Sequence, residues 1–320
     1  MSSSQGEFVS KIWQSSLFDD RVVFCTGGSG TICFAQVKAL VHLGADACIV
    51  GRNSQKTEKM AQAIAKVRAG SKVIGIGNID VRKLEALEGA VSQCVRELGG
   101  IDFVIETSIS AGAAGNFLAP IDGLSANAFK SVVDIDLLGS YNTLKSTLPY
   151  LLASAARNRN PGSPTGGRII FVSATFHYTG VPYQSHVAAA KAGVDALSAS
   201  VALEYGPRGL TSNVISPGGI EGTEGLQRLS SEASRESGQA ARNIPLGRYG
   251  LLKEVSDATV FLFSEAGNYI NGHVLVVDGG AWRLPGLAGM SAGLAYPDIV
   301  LGDQLLPTDI KTGRGTNSKL

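Results

Sequence analysis

The chain has 320 residues, of which 44% are hydrophobic, and its formal net charge at pH 7 is +1. This length provides an ample core for one large domain or two small ones. The small net charge does not favour nucleic acid or an anionic membrane as a partner. The apolar runs are too short to span a bilayer, and the first residues lack the apolar core of a signal peptide. The four cysteines lack metal-binding spacing, so we interpret them as reduced core residues of an intracellular protein.

Short apolar runs alternate with amphipathic stretches along the chain. The runs predict strands at 22–25, 47–50, 72–79, 102–105, 168–173, 211–216 and 274–277. The amphipathic stretches predict helices at 34–43, 54–69, 83–98, 126–152 (one or two helices), 187–205 and 255–263. This order predicts an α/β fold: a single doubly wound (Rossmann) parallel sheet of about seven strands with helices on both faces.

The expected organisation is one domain with two flanking segments. Residues 1–20 form a lead-in with a short helix, 21–282 form the Rossmann-fold domain, and 283–320 form a loose extension. A polar, Pro- and Gly-containing stretch at 155–167 predicts a surface loop inside the domain.

A glycine-rich turn, TGGSGTI, joins the first predicted strand to the first predicted helix. Gly27, Gly28 and Gly30 allow the backbone to approach a pyrophosphate, and the helix N-terminus offers free N–H groups and a positive dipole end. A tight turn that binds nothing is the alternative. The flanking strand and helix favour the nucleotide.

Ligands of such a sheet bind beyond the carboxyl ends of its strands. Arg52 follows the second strand, where an acid would bind the ribose 2′-hydroxyl of NAD; a guanidinium suits the 2′-phosphate of NADP instead. The alternative is a solvated surface arginine. Asp80 follows the third strand and either accepts from an adenine amino group or caps the next helix. The sixth strand ends in Pro217-Gly218-Gly219, a turn that could receive a nicotinamide.

Lys191 lies in an Ala-rich helix that should be largely buried, and a buried ammonium needs a partner. A ribose hydroxyl and a carboxylate would serve, whereas a lysine that reaches solvent is the ordinary alternative. Asp136 is the candidate carboxylate, and Asp134 is its counterpart on the exposed face.

Together these residues resemble the short-chain dehydrogenase/reductase family over roughly residues 18–282. The similarity is carried by TGGSGTI, the aspartate of NIDVR, AAG, the lysine helix, SPGG and the terminal VDGG. Within that family AAGNF, DIDLLGSYN, HVAAAKAGVDAL and GTEGLQRL resemble the peroxisomal 2,4-dienoyl-CoA reductases. The chain ends in Ser318-Lys319-Leu320, an SKL-type peroxisomal import signal.

The sequence departs from the ordinary family pattern at several points. Thr31 and Cys33 stand at the last two glycine positions of TGxxxGxG. Val187 occupies the tyrosine position of YxxxK, and Ala174 occupies the usual serine position. An ordinary carbonyl reductase would therefore lack its acid and its oxyanion donor. The segment 106–110, ETSIS, adds about five residues that we expect to bulge beside the nicotinamide.

The resemblance implies NADPH-dependent reduction of 2,4-dienoyl-CoA to 3-enoyl-CoA in peroxisomal β-oxidation of unsaturated fatty acids. It implies that Asp136 and Lys191 are catalytic and hold a water as proton source, and that Asn116 and Phe117 bind substrate. It also implies an import receptor as partner and a homo-oligomer formed through the helices at about 126–152 and 187–205. The implied cofactor-binding residues are Thr26, Gly27, Gly28, Gly30, Thr31, Ile32, Arg52, Asp80, Lys191, Pro217, Gly218 and Thr223. A reductase of another acyl thioester and a non-catalytic nucleotide-binding scaffold are the alternatives.

Overall fold

The computed structural model describes residues 8–107, 119–158, 166–229, 241 and 244–287. It contains a seven-stranded sheet in the order β3-β2-β1-β4-β5-β6-β7, and every neighbouring pair is parallel. The strands are β1 (Val22–Thr26), β2 (Asp46–Val50), β3 (Val73–Ile76), β4 (Phe103–Glu106), β5 (Arg168–Val172), β6 (Thr211–Pro217) and β7 (Val274–Val277). The strand order reverses between β1 and β4, which creates the crevice in which such sheets bind nucleotides. The predicted doubly wound sheet is confirmed.

Helices cover both faces of the sheet. They are α1 (Thr31–His42), α2 (Ser54–Ala65), α3 (Leu84–Leu98), α4 (Ala126–Val133), α5 (Gly139–Arg157), α6 (Phe176–Thr179), α7 (Ser185–Tyr205), α8 (Glu224–Leu229) and α9 (Leu252–Phe263). A π-helical turn, Asp134–Leu138, joins α4 to α5. The short helices α6 and α8 were not predicted.

Several predicted boundaries are wrong, for local reasons. The strand predicted at 72–79 ends at Ile76, because Asn78 adopts a left-handed conformation with φ +59°. The helix predicted to end at residue 69 ends at Ala65, and a turn through Gly70 follows. The loop predicted to begin at 155 begins later, because α5 continues to Arg157 and places Ala155 in the core.

The core has two layers because β1 alternates its side chains between the faces of the sheet. Val23 and Cys25 pack in the layer that contains buried residues of α1 and α9, whereas Phe24 packs in the layer that contains residues of α3, α5 and α7. All four cysteines are buried and form no disulfide.

Residues 8–20 form turns rather than the expected short helix, and they pack on the domain. Phe8 and Phe18 are buried in the core layer next to α1. The Asp257 carboxylate on α9 accepts hydrogen bonds from Ser10 and from Trp13 Nε1, at 2.8 Å in the latter case. Within the described ranges, we find no helix with the length and apolarity that a membrane crossing requires.

Candidate active site

The turn after β1 has a backbone that only glycine fits. Gly27 has φ +63°, and a Cβ added there would lie 2.5 Å from the carbonyl oxygen of Thr107. A Cβ on Gly28 would lie 2.6 Å from Cβ of Ile49. Gly30 precedes α1 and has no side chain to cap it, so the first N–H groups of the helix remain available for an anion. This cradle fits the pyrophosphate of a dinucleotide.

The predicted residues around these glycines have defined positions. Thr26 is fully buried, and its hydroxyl accepts a hydrogen bond from the backbone N–H of Thr107 at 3.2 Å. This bond ties the end of β1 to the end of β4. Thr31 and Ile32 form the start of α1, where backbone N–H groups have no partner within the helix.

Charged side chains gather beyond β2 and β3. Arg52 is exposed, and its charge is close enough to Asp80 to help lower the pKa of that carboxyl. The larger cause is Arg82, whose Nε lies 3.0 Å from Oδ1 and whose Nη2 lies 2.5 Å from Oδ2 of Asp80. The Asp80 carboxylate also accepts a hydrogen bond from the backbone N–H of Arg82 and thereby fixes the turn before α3. It does not cap α3, which has no side-chain cap. Sequence reasoning missed Arg82, although its position two residues after Asp80 is a local signal.

The structure separates the two candidate aspartates. Asp136 is fully buried in the π-helical turn, and its backbone carbonyl accepts from the Ser140 hydroxyl at 2.6 Å. Asp134 forms an ion pair with Lys130 on the surface. Single π-helical turns occur frequently at functional sites, because the extra residue re-aims a side chain. The geometry therefore favours Asp136 as the internal carboxylate.

Lys191 is buried, with only 3% of its surface exposed, and its Nζ donates to the carbonyl oxygen of Val172 at 3.0 Å. That carbonyl ends β5, so the ammonium lies at the carboxyl edge of the sheet. Gly193 allows α7 to approach the π-helical turn, since a Cβ there would lie 2.7 Å from a methyl group of Leu137. The turn that holds Asp136 thus packs directly against the helix that holds Lys191.

No hydroxyl occupies the two usual catalytic positions. Val187 is buried in a small apolar cluster with Val132 and Ala190, and residue 174 is alanine. Ser173 and Ser216 are buried instead near the carboxyl ends of β5 and β6, and their hydroxyls have no hydrogen-bond partner among the described residues. Such groups cost free energy unless a ligand or ordered water binds them. Their position fits a bound nicotinamide nucleotide.

Side chains of α6 and α7 form a cluster in which sequence reasoning missed Asp195. The Tyr178 hydroxyl donates to Asp195 Oδ2 at 2.7 Å. His177 Nε2 lies 2.9 Å from the same oxygen, but its N–H does not point at that oxygen and forms no hydrogen bond with it. Asp195 follows Lys191 by four residues, so both lie on one face of α7. That spacing was the available signal.

The PGG turn after β6 is held against the end of β7. A Cβ on Gly218, which follows Pro217, would lie 2.6 Å from Cβ of Asp278. The Asp278 carboxylate accepts from the backbone N–H groups of Gly280 and Trp282, each at 2.8 Å. Thr223 is buried, and its hydroxyl caps α8 through a 3.2 Å hydrogen bond from Leu226 N–H. The same hydroxyl donates to the carbonyl oxygen of Ile220 at 2.7 Å, so donating to a cofactor phosphate would require it to give up that bond.

Comparisons with known proteins agree with this geometry. A family model described as Enoyl-(Acyl carrier protein) reductase matches residues 28–281. The chain is 50% identical to the peroxisomal 2,4-dienoyl-CoA reductase [(3E)-enoyl-CoA-producing] of Saccharomyces cerevisiae, over 87% of this chain and 90% of that protein. This chain belongs to the short-chain dehydrogenase/reductase family.

Further relatives agree with this assignment. The peroxisomal 2,4-dienoyl-CoA reductase of Danio rerio is 38% identical over 85% of this chain and 84% of its own length. The crystal structure of levodione reductase has a TM-score of 0.74 and 27% identity, and the match covers 83% of this chain and 99% of that one. As a short-chain dehydrogenase/reductase, the chain is an oxidoreductase that uses a nicotinamide cofactor.

Some predicted features lie outside the described residues: Asn116, Phe117 and the tripeptide Ser318-Lys319-Leu320. The segment 106–110 lies partly inside. Glu106 extends β4, pairs with Phe171 of β5 and is fully buried. The expected five-residue bulge is therefore wrong at its first residue, which continues the strand.

Proposed function

We propose that this chain is an NADPH-dependent 2,4-dienoyl-CoA reductase that forms 3-enoyl-CoA in peroxisomal β-oxidation of unsaturated fatty acids. The carrying observation is two buried ionisable side chains without the usual hydroxyls. Lys191 is buried at the end of β5 and Asp136 is buried on the π-helical turn that packs against α7, whereas Val187 and Ala174 offer no proton or oxyanion donor. The names of the relatives from yeast and zebrafish support this activity.

Dienoyl reduction suits such a site because its proton goes to carbon. C5 of the conjugated thioester would receive a hydride from bound NADPH, and the electron pair would move toward the thioester oxygen to give a dienolate. A proton then adds at C2, which leaves the double bond between C3 and C4. No carbonyl oxygen is finally protonated, so a tyrosine acid is not required.

In this proposal Lys191 and Asp136 bind the cofactor and the water that supplies the proton. The Lys191 ammonium is held by the end of β5 and binds the nicotinamide ribose. Together with Asp136 it holds the water that protonates C2. Burial strengthens these electrostatic interactions, because the surroundings have a low dielectric constant. Asn116 and Phe117 are proposed to bind the substrate.

The preference for NADPH rests on the charges beyond β2 and β3. Arg52 is exposed at the end of β2 and free to form a bidentate contact with a 2′-phosphate. Asp80 is proposed to accept from the adenine amino group, although Arg82 already binds both of its oxygens.

Location and assembly complete the proposal. The C-terminal Ser318-Lys319-Leu320 would bind the peroxisomal import receptor. A homo-oligomer would form through α4, α5 and α7. Half-exposed apolar side chains on α4, on the π-helical turn and on α5 support such a contact: Phe129, Leu138 and Tyr141 respectively.

The deciding experiment follows NADPH oxidation at 340 nm with 2,4-hexadienoyl-CoA, with NADH in parallel. We expect turnover with NADPH, and a product whose double bond lies at C3 rather than C2. Turnover with NADH alone would keep the reaction and discard the assignment of Arg52. Bound NADPH without turnover would favour the alternatives: a reductase of another thioester, tested with acetoacetyl-CoA, or a scaffold without catalysis.

A further inference from the structure

A half-exposed tyrosine lies beside the lysine helix and has no role in the reaction described above. Tyr178 belongs to α6, the short helix directly after the end of β5, and 49% of its surface is exposed. Ligands of this fold bind at that edge of the sheet. The exposed ring therefore lies on the side from which a thioester would approach Lys191.

Three contacts hold this ring. Its hydroxyl donates to Asp195 Oδ2 at 2.7 Å, and the side chain of Asp195 is only 9% exposed. The neighbouring His177 ring lies 3.9 Å away between centroids, and the ring also meets the edge of Trp282, with 5.8 Å between the ring centroids. The backbone N–H of Trp282 is in turn bound by Asp278. The ring is thus held between α7 and the segment after β7, so it is more restrained than an ordinary exposed tyrosine.

The bond to Asp195 also limits what Tyr178 can do chemically. Burial, followed by the hydrogen bond to Asp195, raises the pKa of Tyr178 to about 12. The phenol therefore stays protonated at neutral pH and directs its proton at a carboxylate. It is poorly placed to protonate a substrate carbon, so the part of the ring that His177 and Trp282 leave exposed remains as its functional surface.

We propose that Tyr178 positions the substrate: its ring, fixed by Asp195 and Trp282, forms a wall against which the planar dienoyl group packs. This inference rests on the proposed function, since it assigns the substrate side of the same site. A flat conjugated chain suits an aromatic wall, because face-to-edge and offset contacts between π systems are favourable. Asp195 acts through Tyr178 and is a positioning residue.

The test replaces Tyr178 by Phe, which keeps the ring and removes its bond to Asp195. A loosened wall weakens substrate binding in the ground state and the transition state alike, so KM rises while kcat is kept. We expect KM for 2,4-hexadienoyl-CoA to rise about tenfold with kcat within about threefold. Asp195→Ala, which removes the acceptor oxygen, should give the same split. Tyr269→Phe is the matched control, because Tyr269 is fully exposed and should leave both constants unchanged.

Three results would overturn the proposal. An unchanged KM in Tyr178→Phe would show that fixing the Tyr178 ring does not contribute to substrate binding. A kcat loss of a hundredfold at constant KM would place Tyr178 in the chemical step. A fall in melting temperature with equal loss of NADPH binding would make the contact merely structural.

A binding measurement separates this inference from the proposed function. The chain has two tryptophans, Trp13 and Trp282, so a Trp13→Phe background leaves only the emission of Trp282. Titration with 2,4-hexadienoyl-CoA in the absence of NADPH gives a Kd without turnover. If the wild type shows no reductase activity, a weaker Kd in Tyr178→Phe still supports the wall, and an equal Kd refutes it.

Discussion

Replacing Gly27 by alanine should weaken NADPH binding strongly without unfolding the protein. The added Cβ would lie 2.5 Å from the Thr107 carbonyl oxygen, whereas ordinary contact begins near 3.4 Å, so one of the two backbones must move by about 0.9 Å. Thr107 is not free to retreat, because its N–H is bound to the Thr26 hydroxyl. The glycine turn must therefore shift, and its N–H groups leave the pyrophosphate position.

The magnitudes separate two effects. An alanine in the left-handed conformation lowers the free energy of unfolding by about 1–2 kcal/mol. Alanine also reduces the conformational entropy of the unfolded chain, which offsets about 0.4–1 kcal/mol of that loss. A hydrogen bond to a charged phosphate contributes about 1.5–3 kcal/mol, so losing one raises Kd by roughly ten- to a hundredfold. Binding should thus suffer more than folding does.

Gly70→Ala is the matched control. Gly70 also has a positive φ, +80°, but a Cβ there meets no atom of the described residues within 4 Å. Both variants should lose the stability that a left-handed alanine costs in urea unfolding, Gly27→Ala should lose more because of its clash, and only Gly27→Ala should lose NADPH affinity in a fluorescence titration. The reasoning fails if Gly27→Ala binds NADPH within twofold of wild type, or if Gly70→Ala weakens binding equally.

Four further predictions concern other parts of the site and the fold. Arg52→Gln should raise the Kd for NADPH about tenfold or more and leave that for NADH unchanged, since only the phosphate contact is lost. Asp136→Asn should lower kcat about 10²–10⁴-fold with unchanged NADPH affinity; wild-type activity would discard the proposed proton path. Arg168→Met should cost about 2–4 kcal/mol in urea unfolding, because two carbonyls at the end of α9 lose their donor. The raised pKa of Tyr178, about 12, means that the folded state keeps a proton that the unfolded state releases near pH 10. Stability should therefore fall between pH 10 and 12, and less steeply in Tyr178→Phe.

The fold was largely predictable because its signals are local. Apolar runs, helical periodicity and glycine turns lie within single segments, and all seven strands were found. The errors occur where one residue ends an element. Asn78 stops β3 by adopting a left-handed conformation, and α5 runs past residue 152 because Ala155 packs in the core. Neither effect appears in a hydrophobic pattern.

Site residues that belong to one sequence motif were predictable. Contacts between residues that are distant in the sequence and meet only in the folded chain were missed. Gly27 and Lys191 belong to recognisable segments. Tyr178 and Asp195 are 17 residues apart and meet only because α6 and α7 fold back on each other. The unpartnered Ser216 hydroxyl likewise depends on what surrounds the end of β6.

The scaffold hypothesis makes poor sense of the buried charges. Burying the ammonium of Lys191, of which only 3% of the surface is exposed, costs free energy that its partners must offset, among them the Val172 carbonyl oxygen at 3.0 Å. Asp136 adds a second buried ionisable group on a π-helical turn, which is itself less stable than continuous helix. A protein that only bound nucleotide through its glycine turn would need neither. Groups of this kind are typical of sites in which charge develops during a reaction, and so a reductase accounts for them better than a binding module does.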